Sequence, residues 1–111
     1  MPTLFMVELA VADVAAARAW YETTLGLKVV VSDAATGFVL LQDARGARVA
    51  LKSGTPNPGG VVLHFEVADV DAFLRERGIA SDGPVAVSAE GYREVFVRDP
   101  DGNRVGLFAW D

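Results

Sequence analysis

Apolar and polar residues alternate along two stretches of the chain. In residues 4–11 the odd positions are all apolar and the even positions include Glu8. In residues 61–67 the odd positions are again apolar, while His64 and Glu66 occupy even positions. A period of two matches the pleat of a β-strand. Both stretches are therefore predicted to be half-buried strands, with the three polar side chains on the face opposite the apolar one.

An aspartate follows each of these strands and is suited to cap a helix. Asp13 and Asp69 stand directly before apolar residues at helical spacing, and a carboxylate at this position accepts hydrogen bonds from the free N–H groups of the first turn. Gly26 and Gly78 are predicted to end the two helices. Tyr21 lies on the apolar stripe of the first helix and is predicted to pack onto the sheet.

Three short strands are predicted after each helix. They lie near residues 27–32, 37–42 and 47–53 in the first half, and near 84–88, 92–98 and 103–109 in the second. The segment "DPDG" has Pro at its second position and Gly at its last, which favours a tight turn between the final two strands. Each half is therefore predicted to be a β-α-β-β-β unit.

The two halves are related by an internal repeat at an offset of 56 residues. "LAVADVAA" (9–16) aligns with "FEVADVDA" (65–72), and "QDARGARVALKS" (42–53) aligns with "RDPDGNRVGLFA" (98–109). Two matching blocks at one offset indicate a tandem duplication. We therefore predict an α+β fold made of one domain, residues 1–111. Module 1 covers about residues 3–54, the linker 55–60, and module 2 about residues 61–111.

Composition narrows the classes of function. The chain has 111 residues and a formal net charge of −5, which disfavours a nucleic-acid binder. It has no apolar run long enough to cross a membrane and no signal peptide, so we expect a cytoplasmic protein. The chain contains no cysteine, which excludes disulfides and thiolate chemistry.

Two segments resemble the vicinal oxygen chelate superfamily, which includes glyoxalases, extradiol dioxygenases and bleomycin-resistance proteins. They are "LAVADVAAARAWYETTLGLKVV" (9–30), with its "WYETTLGL" helix end, and "VRDPDGNRVGLF" (97–108). The resemblance implies two tandem modules whose cupped mixed sheets enclose a cavity. "GYREVFVRDPDGN" (91–103) is also similar to the corresponding stretch of bleomycin-resistance proteins.

The resemblance also implies where a metal ion would be bound. In metal-dependent members each module supplies two ligands, and the corresponding positions here are Met6, Ala50, Val62 and Gly106. The 56-residue repeat pairs Met6 with Val62 and Ala50 with Gly106, which supports this assignment. None of the four side chains suits a divalent ion. We therefore expect no metal and no other cofactor.

Glu8 and His64 are repeat partners and the candidate catalytic residues. If they meet across the pseudo-twofold axis, the carboxylate would raise the basicity of the imidazole and make a general base. The alternative is that they only satisfy each other, or contact ligand or water. A relocated metal site at Glu8, His64 and Glu66 is a further alternative.

A binding face is predicted on the same strands. Arg48 and Arg104 are repeat partners suited to an anionic group, or to an ion pair with an acidic residue. Phe108 and Trp110 continue the face and suit a flat organic ligand, or a partner subunit. The candidate ligand-binding residues are Glu8, His64, Glu66, Arg48, Arg104, Phe108 and Trp110.

These observations lead to one leading hypothesis and two alternatives. The leading hypothesis is metal-independent binding of a small organic molecule, such as an antibiotic of the bleomycin type. The first alternative is a glyoxalase-like lyase or isomerase that uses Glu8 and His64, with or without a displaced metal. The second is a structural or regulatory partner with a vestigial cavity. A homodimer is expected, because a unit of about 50 residues buries little apolar surface alone.

Overall fold

The chain forms two compact units, and the boundary between them falls within the predicted linker. The computed structural model describes residues 3–111, so residues 1 and 2 of the predicted 1–111 span lie outside it. One unit ends at Asn57 and the other begins at Pro58. Each unit has the order β-α-β-β-β, which confirms the predicted α+β fold of two tandem modules.

The elements of the two units correspond one to one. The first unit contains β1 (Val7–Val11), α1 (Val14–Thr23), β2 (Lys28–Asp33), β3 (Phe38–Gln42) and β4 (Arg48–Ser53). The second contains β5 (Leu63–Glu66), α2 (Val70–Arg77), β6 (Ala86–Val87), β7 (Tyr92–Arg98) and β8 (Arg104–Trp110). Within residues 3–111, neither helix has the length and apolar character needed to cross a membrane.

Each unit builds one four-stranded mixed sheet. The strand order is β1-β4-β3-β2 in the first and β5-β8-β7-β6 in the second. The first strand of each unit pairs in parallel with the last strand, and the other pairs are antiparallel. The internal repeat of the sequence is therefore a repeat of topology as well.

Three strands are shorter than the sequence pattern predicts. β5 comprises Leu63–Glu66 of the predicted 61–67. β1 begins at Val7 rather than at residue 4, because its ladder with β4 starts only at the pair of Val7 and Val49. Leu4 and Phe5 are exposed as a result. β6 comprises only Ala86–Val87 of the predicted 84–88. Alternation of side chains predicts a strand's faces, but its ends are decided by the neighbouring strand.

The helix ends agree with the sequence. Asp13 and Asp69 are the N-caps, and each side chain accepts a hydrogen bond from the backbone N–H three residues later, at 3.0 and 2.9 Å. Gly26 and Gly78 follow the helices with φ of 72° and 64°. This left-handed conformation is strained for other residues, so glycine allows the chain to leave the helix here.

The apolar cores lie between each helix and its sheet. Tyr21 and Ala17 of α1 are fully buried, and α1 packs on β3 and β4. The α2 helix packs in the same way on β7 and β8. The largest fully buried strand residues are Val11, Leu41 and Leu51 in the first unit and Val95, Val97, Val105 and Leu107 in the second.

The predicted tight turn joins β7 to β8. The N–H of Gly102 donates to the carbonyl of Asp99 at 3.0 Å, and Gly102 has a φ of 83°. The turn between β3 and β4 repeats this arrangement, with a 3.3 Å bond from Gly46 to Asp43.

Candidate ligand-binding site

The two faces of the second sheet differ in chemistry. On one face the side chains of β7 and β8 are apolar and buried, and Arg93 on this face reaches α2 through an ion pair of 3.1 Å with Asp71. The opposite face carries polar and aromatic side chains that are half-buried or exposed. We call it the polar-aromatic face; it comprises His64, Glu66, Tyr92, Glu94, Phe96, Arg98, Arg104, Gly106, Phe108 and Trp110.

Strand register arranges this face in rows. Arg98 lies opposite Arg104, Phe96 opposite Gly106, Glu94 opposite Phe108, and Tyr92 opposite Trp110. The parallel strand β5 adds His64 beside Gly106 and Glu66 beside Phe108. The face therefore has a basic end, a central row that contains the imidazole, and an aromatic end bordered by two carboxylates.

The imidazole of His64 lies over Gly106. A Cβ atom at position 106 would stand 2.5 Å from Nδ1 of His64 and 3.0 Å from its Cε1, which is too close for real atoms. Any side chain at this position would displace the ring. The absence of a side chain at Gly106 therefore provides the space in which His64 lies.

Glu94 is the partner of this imidazole. Its Oε2 lies 3.2 Å from Nδ1 of His64, and the two side chains are 22% and 47% exposed. The ring of Phe96 stands edge-on to the imidazole, with centroids 6.0 Å apart. His64 therefore has a fixed orientation within its own sheet, and about half of its side-chain surface remains exposed.

The basic end is organised by one carboxylate. Oδ2 of Asp82 lies 2.7 Å from Nε of Arg98 and 3.7 Å from Nε of Arg104. The guanidinium of Arg104 stacks on Phe96 at 3.8 Å from the ring centroid. This stacking is a cation–π contact and it holds Arg104 against the sheet.

The aromatic end consists of three rings in mutual contact. The ring centroids of Tyr92 and Phe108 are 6.2 Å apart, those of Tyr92 and Trp110 are 5.5 Å apart, and those of Phe108 and Trp110 are 5.9 Å apart. All three contacts are edge-to-face. Trp110 remains 58% exposed, so the cluster leaves aromatic surface open to contact.

The corresponding residues of the first unit are arranged differently. Glu8 is exposed beside the fully buried Ala50 in the parallel ladder of β1 and β4. Arg48 donates from Nε to Oε1 of Gln42 at 3.0 Å and stacks over the ring of Phe5. In this unit an alanine and an aliphatic side chain replace the glycine and the aromatic ring of the central row.

The predicted pairing of Glu8 with His64 would join residues of two different units, and it remains a prediction. The carboxylate that contacts His64 is that of Glu94. Within residues 3–111 no three or more His, Asp or Glu side chains are grouped so that they can share a metal ion. The alternative metal site of Glu8, His64 and Glu66 also combines residues of both units and remains a prediction.

The four positions that the resemblance implies for metal ligands carry no suitable side chain. Met6 is half-buried, Ala50 is fully buried, Val62 is 41% exposed, and none of the three carries an oxygen or nitrogen on its side chain. At Gly106 the space of a ligand side chain is filled by the imidazole of His64. Divalent ions require several such donors converging on one point.

Four residues of the polar-aromatic face were missed by the sequence analysis: Tyr92, Glu94, Phe96 and Arg98. The signal was present, since Tyr92–Arg98 alternates these side chains with Arg93, Val95 and Val97. The strand order β5-β8-β7 decides which face of β7 lies on the same side as His64. That order is a property of the fold and cannot be read from the alternation within β7.

Comparisons with known proteins support the architecture. The profile of the Glyoxalase/Bleomycin resistance protein/Dioxygenase superfamily matches residues 3–107. No curated protein sequence matches the chain.

Solved structures similar to the chain span nearly its whole length. A glyoxalase/bleomycin resistance protein/dioxygenase from Nocardioides is 23% identical with a TM-score of 0.77, covering 99% of this chain and 84% of that one. A glyoxalase/bleomycin resistance protein from Catenulispora acidiphila is 26% identical with a TM-score of 0.75, covering 99% and 100%. TioX from Micromonospora is 22% identical with a TM-score of 0.72, covering 98% and 97%.

Proposed function

The chain belongs to the Glyoxalase/Bleomycin resistance protein/Dioxygenase superfamily, and from this premise we propose that it binds a small organic molecule on the polar-aromatic face without a metal ion. One observation carries the proposal. The imidazole of His64 occupies the space above Gly106, where metal-dependent relatives are expected to place a ligand side chain. The face thus keeps a functional group at its centre, while the position that the resemblance implies for a metal ligand carries no side chain.

The composition of the face suits an organic ligand. Aromatic rings supply apolar contact area, and a few polar groups provide orientation and selectivity, which is the usual composition of small-molecule sites. At its centre, Nδ1 of His64 and Oε2 of Glu94 lie 3.2 Å apart. Antibiotics of the bleomycin type are the first ligand class that we propose.

The same imidazole–carboxylate pair supports a second candidate function. A carboxylate beside a half-exposed imidazole is an arrangement that serves proton transfer. A glyoxalase-like lyase or isomerase would use His64 as the base, with Glu94 orienting the ring. Glu8, the original candidate partner, would contribute only if the first unit brings it to the same ligand.

The binding function can be tested by a thermal-shift screen of antibiotics, bleomycin included, in buffer that contains a metal chelator. A compound at one hundred times its Kd should raise the free energy of unfolding by about 2.7 kcal/mol. Replacement of Gly106 by alanine should weaken binding at least tenfold, roughly 1.4 kcal/mol, because the new Cβ displaces the imidazole. His64→Ala should have a similar effect.

Arg93→Ala is the matched control, because this residue lies in the same sheet but on the face that meets α2. It should leave Kd unchanged. Binding that appears only when Zn²⁺ or Ni²⁺ is added, or a panel in which no compound shifts Tm, would overturn the proposal. Conversion of the methylglyoxal–glutathione hemithioacetal, lost in His64→Ala, would establish the lyase or isomerase function instead.

We also propose that the chain forms a homodimer. Single β-α-β-β-β units are small, and several apolar side chains are exposed; they include Leu4, Phe5, Val30, Val31, Val61 and Val62. Exposed apolar side chains in such numbers are typical of protein interfaces. Light scattering coupled to gel filtration should give twice the chain mass of 11.8 kDa. A mass of one chain at micromolar concentration would contradict this proposal.

A further inference from the structure

The net negative charge of the chain lies entirely in the second unit. Residues 3–57 contain five basic and five acidic side chains, whereas residues 58–111 contain five basic and ten acidic ones. The formal charge of −5 therefore belongs to the unit that carries the polar-aromatic face. A ligand with positive charge is attracted to such a surface.

Within this face the acidic groups border the aromatic end. Glu66 of β5 and Glu94 of β7 are the register partners of Phe108 on its two sides. The arginines of the face, Arg98 and Arg104, lie two rows away, where Asp82 contacts both. Negative charge and aromatic surface therefore coincide at one end of the sheet.

The aromatic end also lacks a basic side chain of its own. Elsewhere the chain places an arginine over a phenylalanine three times, as with Arg104 over Phe96. Among residues 3–111 no lysine or arginine lies over Tyr92, Phe108 or Trp110. Cations are attracted to the negative faces of aromatic rings, and tryptophan and tyrosine attract them more strongly than phenylalanine.

The arrangement of the two carboxylates favours a large cation over a metal ion. Adjacent strands are about 4.8 Å apart, so the backbones of β5 and β7, which carry Glu66 and Glu94, are separated by about 10 Å across β8. Divalent metal ions require several oxygen ligands within about 2.6 Å, and among residues 3–111 no three His, Asp or Glu side chains are grouped to supply them. An alkylated ammonium group spreads its charge over several methyl or methylene groups and needs no such close set of ligands.

We propose, on the basis of the ligand-binding function proposed above, that the aromatic end receives an organic ammonium group of the ligand. The rings of Tyr92, Phe108 and Trp110 contact its alkyl substituents, and Glu66 and Glu94 balance its charge. The ligand class is thus narrowed to organic cations whose remaining part extends towards His64.

The proposal is tested with choline and its neutral isostere, 3,3-dimethylbutan-1-ol. The two probes have the same shape and differ in charge. Binding to the full chain is followed by NMR through the backbone N–H signals of β8, which are present in every variant. Choline should bind roughly five to ten times more tightly than the alcohol, and its binding should weaken as NaCl is raised.

Two variants locate the effect. Glu66→Gln and Trp110→Ala should each weaken choline binding about threefold or more. Glu66 lies away from the 3.2 Å contact of His64 with Glu94, so this change leaves the centre of the face in place. Glu76→Gln changes the total charge equally on the exposed surface of α2 and should have no effect.

Failure of this inference can be told apart from failure of the proposed function. Equal affinity for choline and the alcohol, or equal losses in Glu66→Gln and Glu76→Gln, would overturn the ammonium site. If choline does not bind while an antibiotic of the panel binds through His64, only the ammonium site is wrong. If no probe and no panel compound binds, both are wrong.

Discussion

Replacement of Tyr21 by alanine should lower the free energy of unfolding by about 3–5 kcal/mol, which is the usual cost of removing a large aromatic side chain from a core. Tyr21 is fully buried on α1, one turn after the equally buried Ala17. The helix packs on β3 and β4, so the loss leaves a cavity over the middle of the first sheet. Equilibrium unfolding in urea, followed by circular dichroism, measures the change.

Leu4→Ala is the control for this experiment. Leu4 is 86% exposed, so its truncation should change the free energy of unfolding by less than about 0.5 kcal/mol. The neighbour of Tyr21, Trp20, stands edge-on to it at 4.9 Å and reports the same site by fluorescence. A cost below about 1 kcal/mol for Tyr21→Ala would mean that α1 does not pack on the sheet through this residue.

Most of the fold could be predicted because its signals are local. The capping carboxylates of Asp13 and Asp69 act within one turn, and alternation along a strand depends only on neighbouring residues. The 56-residue repeat then implies that the second unit copies the first. Strand ends were less predictable, since β1 begins only where its ladder with β4 begins, at the pair of Val7 and Val49.

For the candidate site, the sequence predicted which side chains share a face but not which of them are in contact. Alternation puts His64 on the polar face of its strand, and the parallel register of β5 and β8 places it beside Gly106, which the sequence did not predict. The contact of His64 with Glu94 spans 30 residues of sequence and depends on the order of three strands. A glycine in a strand indicates that something approaches closely, but not what approaches.

The contact of His64 with Glu94 changes how the glycine at position 106 is interpreted. A small residue at position 106 on its own would suggest a site that has simply been emptied. Because the imidazole of His64 fills the space and Glu94 orients it, the same position has become part of a different arrangement of groups. The face therefore carries an ordered imidazole–carboxylate pair at this point, which supports the proposal that it binds an organic ligand.

The two tight turns offer a comparison between a buried and a half-exposed aspartate. The carboxylate of Asp99, which is 5% exposed, accepts from the N–H groups of Asp101 and Asn103 at 3.0 and 2.8 Å, and from Nδ2 of Asn103 at 2.9 Å. Its repeat partner Asp43 is half-buried and accepts from two backbone N–H groups at 2.9 Å. The first turn has Ala47 in place of the asparagine, so the amide contact is absent from it.

Asp99→Ala should therefore cost about 2–4 kcal/mol of unfolding free energy, because three donors lose a charged acceptor where water has little access. Asp43→Ala should cost about 1 kcal/mol, since its donors can bond to solvent instead. Both variants are compared with the parent chain by urea unfolding, and Asp99→Asn separates the loss of charge from the loss of the acceptor. Equal costs for Asp99→Ala and Asp43→Ala would show that burial of the second turn adds nothing, and that the turn backbone alone sets the stability of both hairpins.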